Sequence, residues 1–232
     1  MIPDKNLFIV TSSLKPNMGA FSDEDRFAQT IASLKSIRKQ VPKAFIVFSD
    51  ISLRPVSDLE KQAISGLCNA YIDMSQQPDL KKCSENGMKS ESENLLILFT
   101  LYALKQNNLL TDVKRIFKFS ARSELENTFN INEYDNLFGK YVFKKSIPTW
   151  IHKDFNKGNY PKELFITRMF SFCPSLIDNF IMVIQKNLQV IGNLCPDTEH
   201  AHWVNIPKEY LLEFDKIHCW GWLAGNGQIE HY

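Results

Sequence analysis

The chain has 232 residues, enough for one domain or two. Hydrophobic residues make up 44% and charged residues 23%, which is typical of a globular protein and excludes a disordered, collagen-like or coiled-coil chain. The formal net charge is +1, from 27 Lys and Arg against 26 Asp and Glu, and this balance argues against nucleic acid as a partner.

The cysteines and the apolar stretches predict a cellular location. Five widely spaced cysteines without a Cys-x-x-Cys pair fit neither a disulfide framework nor a zinc site. The first residues carry no signal-peptide pattern. The longest apolar stretch, residues 95–104, is shorter than the roughly 20 residues that span a bilayer. We therefore expect reduced thiols, no transmembrane segment and a soluble, cytoplasmic protein of unknown oligomeric state.

The first half of the chain alternates strand and helix patterns. Continuous apolar runs are typical of strands buried on both faces, and apolar residues at spacings of three and four are typical of helices. Strands are predicted over residues 7–10, 44–48, 70–72 and 115–120, helices over 22–41, 56–67 and 90–106, and a polar loop over 75–89. This βαβαβαβ order predicts a largely parallel sheet with helices on both faces.

The second half has a different pattern. Strands are predicted over residues 140–144, 164–170 and 217–223, a helix over 174–190, and a short helix or turn from Asp197. Neither an internal repeat nor a flexible linker separates the two halves. We predict a single domain in which the second half completes and covers the first.

Polar residues gather at the carboxyl ends of the predicted parallel strands. Ligands of open α/β sheets bind in the crevice at that edge, so these ends predict a binding site. The residues concerned are Thr11, Ser12, Ser13, Ser49, Asp50, Asp73 and residues 120–126.

Several common catalytic and nucleotide-binding motifs are absent from the sequence. There is no Gly-x-Gly-x-x-Gly, no P-loop and no Gly-x-Ser-x-Gly. The stretch from Glu199 through His200 to His202 is not His-Glu-x-x-His, because the two histidines are only two residues apart. The protein family is therefore indicated only by the order of several segments that are each less specific than these motifs.

Five segments, in their order along the chain, carry a resemblance. They are residues 8–13; residues 25–31 with 36–38; residues 117–122; residues 167–172; and Glu199-His200. In this arrangement the chain resembles the GT-A-type glycosyltransferases, in particular small viral and bacterial glycosyltransferase-like proteins.

The resemblance implies a fold and an activity. The fold is a GT-A-like, Rossmann-type mixed sheet, mostly parallel, with helices on both faces. Residues 1–126 would form the nucleotide-binding half and residues 127–232 the acceptor-binding or covering half. The implied activity is transfer of a hexose from a nucleotide diphosphate-sugar, a UDP-sugar, to an acceptor hydroxyl. Whether the reaction inverts or retains configuration stays open.

The resemblance also implies which residues bind the donor. These are Thr11, Ser12, Ser13, Asp50, Ser120 and Arg122. The family's Asp-x-Asp pair, which holds a divalent cation, is absent, because the fourth strand ends in Ser120-Ala121-Arg122. Two replacements are open. Arg122 can neutralise the diphosphate through its fork of donors without a metal, or Glu124 and Glu126 can serve as a carboxylate pair for Mn²⁺ or Mg²⁺.

The later segments imply the remaining roles. Glu199 or His200 would act as the general base that takes the proton from the hydroxyl group receiving the sugar, since both side-chain types can be tuned to a pKa near neutrality. His218 is a candidate for the late metal-binding histidine of the family, with His231 as a weaker one. Trp220 and Trp222 share one face of a predicted strand, where they either stack on a sugar or pack in the core.

Two rival functions are compatible with this sequence. The first is a non-catalytic nucleotide-binding or carbohydrate-binding module on the same scaffold, which the missing Asp-x-Asp favours. The second is another α/β nucleotide-handling enzyme, such as a nucleotidyltransferase or a phosphate-ester hydrolase, because a fold alone does not fix an activity.

Overall fold

The computed structural model describes residues 5–16, 19–151, 158–222 and 227–232. Strands from both halves of the chain contribute to its sheets. The strands are β1 (Lys5–Ser12), β2 (Phe45–Asp50), β3 (Ala70–Asp73), β4 (Val113–Ser120), β5 (Ser123–Leu125), β6 (Tyr141–Lys144), β7 (Ile147–Pro148), β8 (Glu163–Leu164), β9 (Met169–Phe172), β10 (Leu211–Phe214), β11 (Cys219–Trp222) and β12 (Ile229–His231).

Six α-helices lie within the described ranges. They are α1 (Asp23–Gln40), α2 (Asp58–Ser65), α3 (Pro78–Glu85), α4 (Lys89–Gln106), α5 (Ile177–Val190) and α6 (Thr198–Asn205).

The main sheet has seven strands in the order β10-β6-β9-β4-β1-β2-β3. Strand β1 pairs in parallel with both β2 and β4, and β3 pairs in parallel with β2. Strand β9 runs antiparallel to β4 and β6, and β10 is parallel to β6. The predicted α/β class with a mixed, mostly parallel sheet is therefore confirmed.

The continuous apolar run in β1 is explained by burial on both faces of the sheet. Phe8 belongs to the same buried cluster as Leu34 of α1. Its neighbour Leu7 belongs to a second cluster with Ile97 of α4, on the opposite face. Successive strand residues point to opposite faces, so a strand between two helical layers is apolar at every position.

Helix α1 begins at a capping box. The Ser22 hydroxyl accepts from the Asp25 backbone N–H, and the Asp25 carboxylate accepts from the Ser22 N–H. These bonds satisfy N–H groups that the first helical turn leaves without a partner. The cap fixes the start of the helix and therefore the position of Arg26 in its first turn.

Three predicted elements differ in detail. The predicted loop 75–89 contains helix α3. Leu80 is its one buried residue, so the sequence shows no helical repeat of apolar positions there. The predicted strand 164–170 is divided into β8, which pairs with β7 in a separate two-stranded sheet, and β9, which belongs to the main sheet. The strand predicted over 217–223 is β11, and Leu223 lies outside the described residues.

A second, three-stranded sheet has the order β12-β11-β5, with both pairs antiparallel. Strand β5 was not predicted, since its three residues lie in what the sequence presents as a polar strand end. The five cysteines are free thiols, as predicted. Within the described part of the chain, no helix combines the length and apolarity needed to cross a bilayer.

Candidate functional site

A cavity of about 290 Å³ lies at the carboxyl ends of β1 and β4. Thr11 and Ser12 of β1 line it together with Ser13, and so do Ser120 and Arg122 at the end of β4. Strands β1 and β4 are neighbours in the sheet, with Thr11 opposite Ser120. The cavity therefore occupies the edge where the sequence predicts the ligand crevice.

Asp50 supports this cavity without lining it. The side chain is buried at the end of β2, where Oδ1 accepts from the Leu14 N–H at 2.9 Å and Oδ2 from the Ser52 N–H at 3.1 Å. Burial raises the pKa of Asp50 to about 6, although the bonds from Ser52 and Leu14 oppose this rise. Asp50 therefore holds the loop after β1 through its bond to the Leu14 N–H, and its direct contact with a nucleotide stays a prediction.

Two other polar strand ends also lie outside the cavity lining. The Ser49 hydroxyl is buried against the Thr100 hydroxyl at 2.7 Å. The Asp73 carboxylate is exposed and lies 3.6 Å from the Lys61 ammonium. Position at a strand end is therefore not sufficient to bring a polar side chain into the crevice.

Three arginines converge on the cavity: Arg26 from α1, Arg122 after β4, and Arg168 before β9. Burial, together with the charges of Arg168 and Arg26, lowers the pKa of Arg122 to about 9, so its guanidinium stays protonated at neutral pH. One Arg122 nitrogen donates to the Trp222 carbonyl at 3.2 Å.

Two of these arginines, Arg26 and Arg168, were not predicted to be site residues. Arg26 and Arg168 do occur in segments that carry the family resemblance, 25–31 and 167–172, and this was the available signal. Neither follows a predicted strand end. Only the packing of α1 and of the bend before β9 brings them next to Arg122.

An ion pair lies on the cavity wall. Lys118 of β4 is 2% exposed, and its ammonium contacts the Glu93 carboxylate of α4. The same ammonium donates to the Thr167 carbonyl at 2.9 Å. Burial alone would raise the pKa of Glu93, but Lys118, Arg168 and Arg122 hold it below its usual range. Glu93 is therefore an ionised carboxylate whose charge is already compensated.

Glu199 is the second carboxylate that lines the cavity. The Thr167 hydroxyl donates to its Oε1 at 3.1 Å. Burial, and then the negative charges of Glu93 and Asp197, raise the pKa of Glu199 to about 7. A carboxyl with this pKa can both accept and release a proton near neutral pH.

His200 does not line the cavity, although it follows Glu199 in the chain. It is fully buried, with Nδ1 at 2.6 Å from Asp197 Oδ1 and Nε2 at 2.7 Å from the Thr149 hydroxyl. Consecutive residues of a helix point about 100° apart, so α6 presents Glu199 to the cavity and His200 away from it. Of the two candidate bases, the geometry favours Glu199.

The proposed metal ligands Glu124, Glu126 and His218 also lie outside the cavity lining. Glu124 is in β5, opposite Trp220 of β11. The Glu126 carboxylate is 2.8 Å from His231 Nδ1 and 3.8 Å from His218 Nδ1. Within the described ranges, no group of three or more His, Cys, Asp or Glu side chains could hold a metal ion.

A divalent cation therefore does not fit the donor set of this cavity. Such a cation needs deprotonated oxygen ligands. Of the two carboxylates among the described lining residues, Glu93 is paired with Lys118, which leaves Glu199 alone where a divalent cation needs several oxygen ligands. The end of β4 contributes Arg122 where the family resemblance implies a carboxylate pair.

Trp220 and Trp222 lie on the half-buried face of β11, with ring centroids 4.6 Å apart in an edge-to-face arrangement. Their neighbours Cys219 and Gly221 face inward, where a Cβ on Gly221 would come within 2.6 Å of the Ser123 hydroxyl. The two rings pack on each other and leave part of their surface to solvent, so both predicted roles, packing and sugar stacking, remain compatible with this geometry.

No protein-family model and no curated protein matches the sequence. Solved structures are similar to the chain in fold. Core-mannan synthase A from Aspergillus fumigatus, in its Mn/GDP form, aligns over 90% of this chain and 73% of its own, with a TM-score of 0.53 and 8% identity.

Two further solved structures align more weakly. A glycosyltransferase involved in glycosylation of the major capsid of PBCV-1 aligns over 91% of this chain and 82% of its own, with a TM-score of 0.49 and 9% identity. The mannosyltransferase Ktr4p from S. cerevisiae aligns over 78% and 59%, with a TM-score of 0.46 and 10% identity. With the sheet order described above, the similarity to core-mannan synthase A shows that this chain has a GT-A-like α/β fold.

Proposed function

We propose that the chain is a glycosyltransferase that moves a hexose from a nucleotide diphosphate-sugar to an acceptor hydroxyl. One observation carries this proposal: Arg26, Arg122 and Arg168 converge with Glu199 in one cavity at the carboxyl edge of a GT-A-like sheet. Guanidinium groups bind phosphate oxygens in pairs, and a carboxyl with a pKa near 7 can accept a proton.

The diphosphate is the part of the donor that this cavity recognises. The family resemblance implies UDP, whereas the similar mannan synthase was solved with GDP. Both nucleotides present the same pyrophosphate to the arginines. Thr11, Ser12 and Ser13 at the end of β1 line the same cavity and would contact the ribose and base. The Ser13 hydroxyl already donates to the Ile51 carbonyl at 3.1 Å, so it would serve a ligand as an acceptor.

The transfer itself requires one bond exchange. The bond between the anomeric carbon and the diphosphate oxygen breaks, and its electron pair leaves with the diphosphate. Arg122 offsets the negative charge that grows on this leaving group. The acceptor oxygen forms the new bond to the anomeric carbon, and its proton passes to the Glu199 carboxylate if the acceptor attacks directly.

A panel of nucleotides tests the proposal. Unfolding temperature is measured with UDP, GDP, CMP and inorganic phosphate, because a ligand that binds only the native state raises it. We expect a rise with a nucleoside diphosphate and little change with CMP. Release of the nucleoside diphosphate from UDP-hexoses and GDP-hexoses is then followed with and without Mn²⁺. A protein that neither binds a nucleoside diphosphate nor turns over any such donor is not a glycosyltransferase of this kind.

A second candidate is a non-catalytic nucleotide-binding module. The absence of Asp-x-Asp at the end of β4 favours it, since the usual catalytic cation has lost its ligands. The same panel separates the two functions: the module binds a nucleoside diphosphate without turnover of any donor or transfer to an added glycan. Release of inorganic phosphate from simple esters would instead indicate a hydrolase. The cytoplasmic location stays a prediction from the sequence.

A further inference from the structure

Positive charge predominates in the cavity lining. Five cationic side chains line it within the described residues: Arg26, Lys89, Lys118, Arg122 and Arg168. Among the same described residues two carboxylates line it, Glu93 and Glu199. Glu93 contacts Lys118 and is also stabilised by the charges of Arg168 and Arg122, but the cations still outnumber the carboxylates by five to two.

The arginines are held close together without carboxylates in contact. Burial and the charge of Arg168 lower the pKa of Arg26, and the charges of Arg168 and Arg26 contribute to the lowered pKa of Arg122. None of the ion pairs found among the described residues includes one of these three side chains. Bringing like charges together costs free energy that a bound anion would offset.

Arg26 is a buried cation at the cavity. The residue is only 7% exposed, and its Nε atom is buried without a hydrogen-bond partner in the described structure. A buried donor without an acceptor is costly, and the large majority of such groups in native proteins are satisfied. Because Arg26 also lines the cavity, an anion bound there would offset the cost of burying its charge.

The start of helix α4 also favours an anion. Helix α4 has 18 residues, and its N-cap, Met88, makes no side-chain capping bond. Gly87, Lys89 and Ser90 at this end line the cavity. The first N–H groups of a helix and its dipole attract phosphate. A diphosphate in the cavity would thus share it with the three arginines and with the first residues of a helix.

From these observations we propose that Arg26, Arg122 and Arg168 together replace the divalent cation, and that the donor diphosphate binds without a metal ion. The inference rests on the proposed function and concerns how the same site holds its donor. Two observations support it: the buried Arg26 charge at the cavity, and a strand end after β4 that offers Arg122 instead of a carboxylate pair. Glu124 and Glu126, the alternative ligands, are in the β5 region outside the cavity lining.

Isothermal titration of the full chain with UDP and with GDP tests this directly. Each nucleotide is titrated in EDTA and again in Mn²⁺ at millimolar concentration. We expect binding in EDTA, with a Kd that changes by less than about 3-fold when Mn²⁺ is present. Binding that appears only with Mn²⁺, or tightens about 10-fold or more, would overturn the inference and leave the proposed function standing. Absence of binding under both conditions would overturn both.

Variants identify the groups responsible. Arg26→Gln and Arg168→Gln each remove a charge while keeping a polar side chain of similar reach. Each variant should lose a charge-assisted hydrogen bond to a phosphate oxygen, and this loss should weaken nucleotide binding about 10-fold or more in EDTA. Arg54→Gln is the matched control, because Arg54 is exposed, pairs with Asp23 and does not line this cavity. Unfolding temperature verifies that each variant folds.

The outcome of these variants is decisive in either direction. If folded Arg26→Gln and Arg168→Gln bind nucleotide as tightly as the wild type in EDTA, the arginines do not hold the diphosphate and the inference fails. The Kd of the wild-type protein for the nucleotide should also increase with salt concentration, since ions screen the attraction between the arginines and the diphosphate.

Discussion

Lys118 and Glu93 form an ion pair between the central strand β4 and helix α4, and Lys118 is almost fully buried there. This pair joins two cavity walls that come from different layers of the fold. Removing one partner of a buried pair leaves the other charge uncompensated, which is more costly than losing a pair on the surface.

The first prediction concerns this pair. Lys118→Met should lower the free energy of unfolding by about 2 kcal/mol, because Glu93 loses its ammonium partner, although the Glu93 side chain is 32% exposed and stays partly hydrated. Urea denaturation at pH 7 measures the loss. In Lys118→Met combined with Glu93→Gln, part of the stability should return. Lys81→Met serves as control, since the exposed Lys81–Glu85 pair should contribute less than about 1 kcal/mol. A Lys118 variant as stable as this control would contradict the prediction.

The second prediction concerns Arg122 in the proposed transfer. Arg122→Ala should reduce the transfer rate at least about 100-fold, because the charge-assisted bonds that the guanidinium would make to the leaving diphosphate are lost. The fold should be retained, as judged by circular dichroism and the unfolding temperature. Arg54→Ala, outside this cavity, should transfer at the wild-type rate. Turnover by Arg122→Ala close to that of the wild type would remove Arg122 from the mechanism.

The third prediction concerns the proton acceptor. With the pKa of Glu199 raised to about 7, transfer should increase with pH through this region as the carboxylate forms. Glu199→Gln should lose at least about 100-fold in rate and lose this pH dependence. His200→Gln serves as comparison and should keep it, because His200 contacts Asp197 and Thr149 away from the cavity. An unchanged pH profile in Glu199→Gln would exclude Glu199 as the base.

The same raised pKa affects stability, which gives a fourth prediction. In the unfolded chain Glu199 ionises near its ordinary pKa of 4.5, whereas in the folded protein it keeps its proton to about pH 7. Between these values the folded state binds more protons, so the contribution of Glu199 to stability falls as pH rises. Denaturant titrations from pH 4.5 to 7 should show a smaller decline for Glu199→Gln than for the wild type. Parallel curves would contradict this.

The fifth prediction concerns Asp50. Both of its carboxylate oxygens accept backbone N–H groups, whereas an asparagine has one acceptor oxygen and one donor nitrogen. Asp50→Asn should therefore cost about 1–3 kcal/mol in unfolding free energy and weaken nucleotide binding through the loop after β1. Asp73→Asn is the control, because Asp73 is exposed and its ion pair with Lys61 is long. Equal stability of the two variants would argue against the positioning role.

The order of elements could be predicted from the sequence because short-range patterns determine it. A run that is apolar at every position indicates a strand buried on both faces, and the Ser22 to Asp25 box indicates where α1 begins. Right-handed crossovers then align the strand ends at one edge. For this reason Thr11, Ser12 and Arg122 were found together at the cavity, as expected.

The sequence could not determine which polar side chains enter the cavity. Ser49 and Asp50 follow a strand as Thr11 does, yet β2 turns them toward buried backbone and helix partners. Glu199 and His200 are adjacent in sequence, and only the docking of α6 determines that Glu199 is the one at the cavity.

The arginine cluster illustrates the same limit. Arg26 and Arg168 are 142 positions apart, in the first turn of α1 and in the bend between β8 and β9. The sequence by itself determined the parallel strands β1 to β4, the helices between β1 and β2 and before β4, and the edge at which these strands end, since these depend on periodicity and local hydrogen bonds. Short elements such as α3 and β5 were not predicted. Only the tertiary structure decided that three guanidiniums share one cavity, because their proximity depends on how helix and bend pack against the sheet.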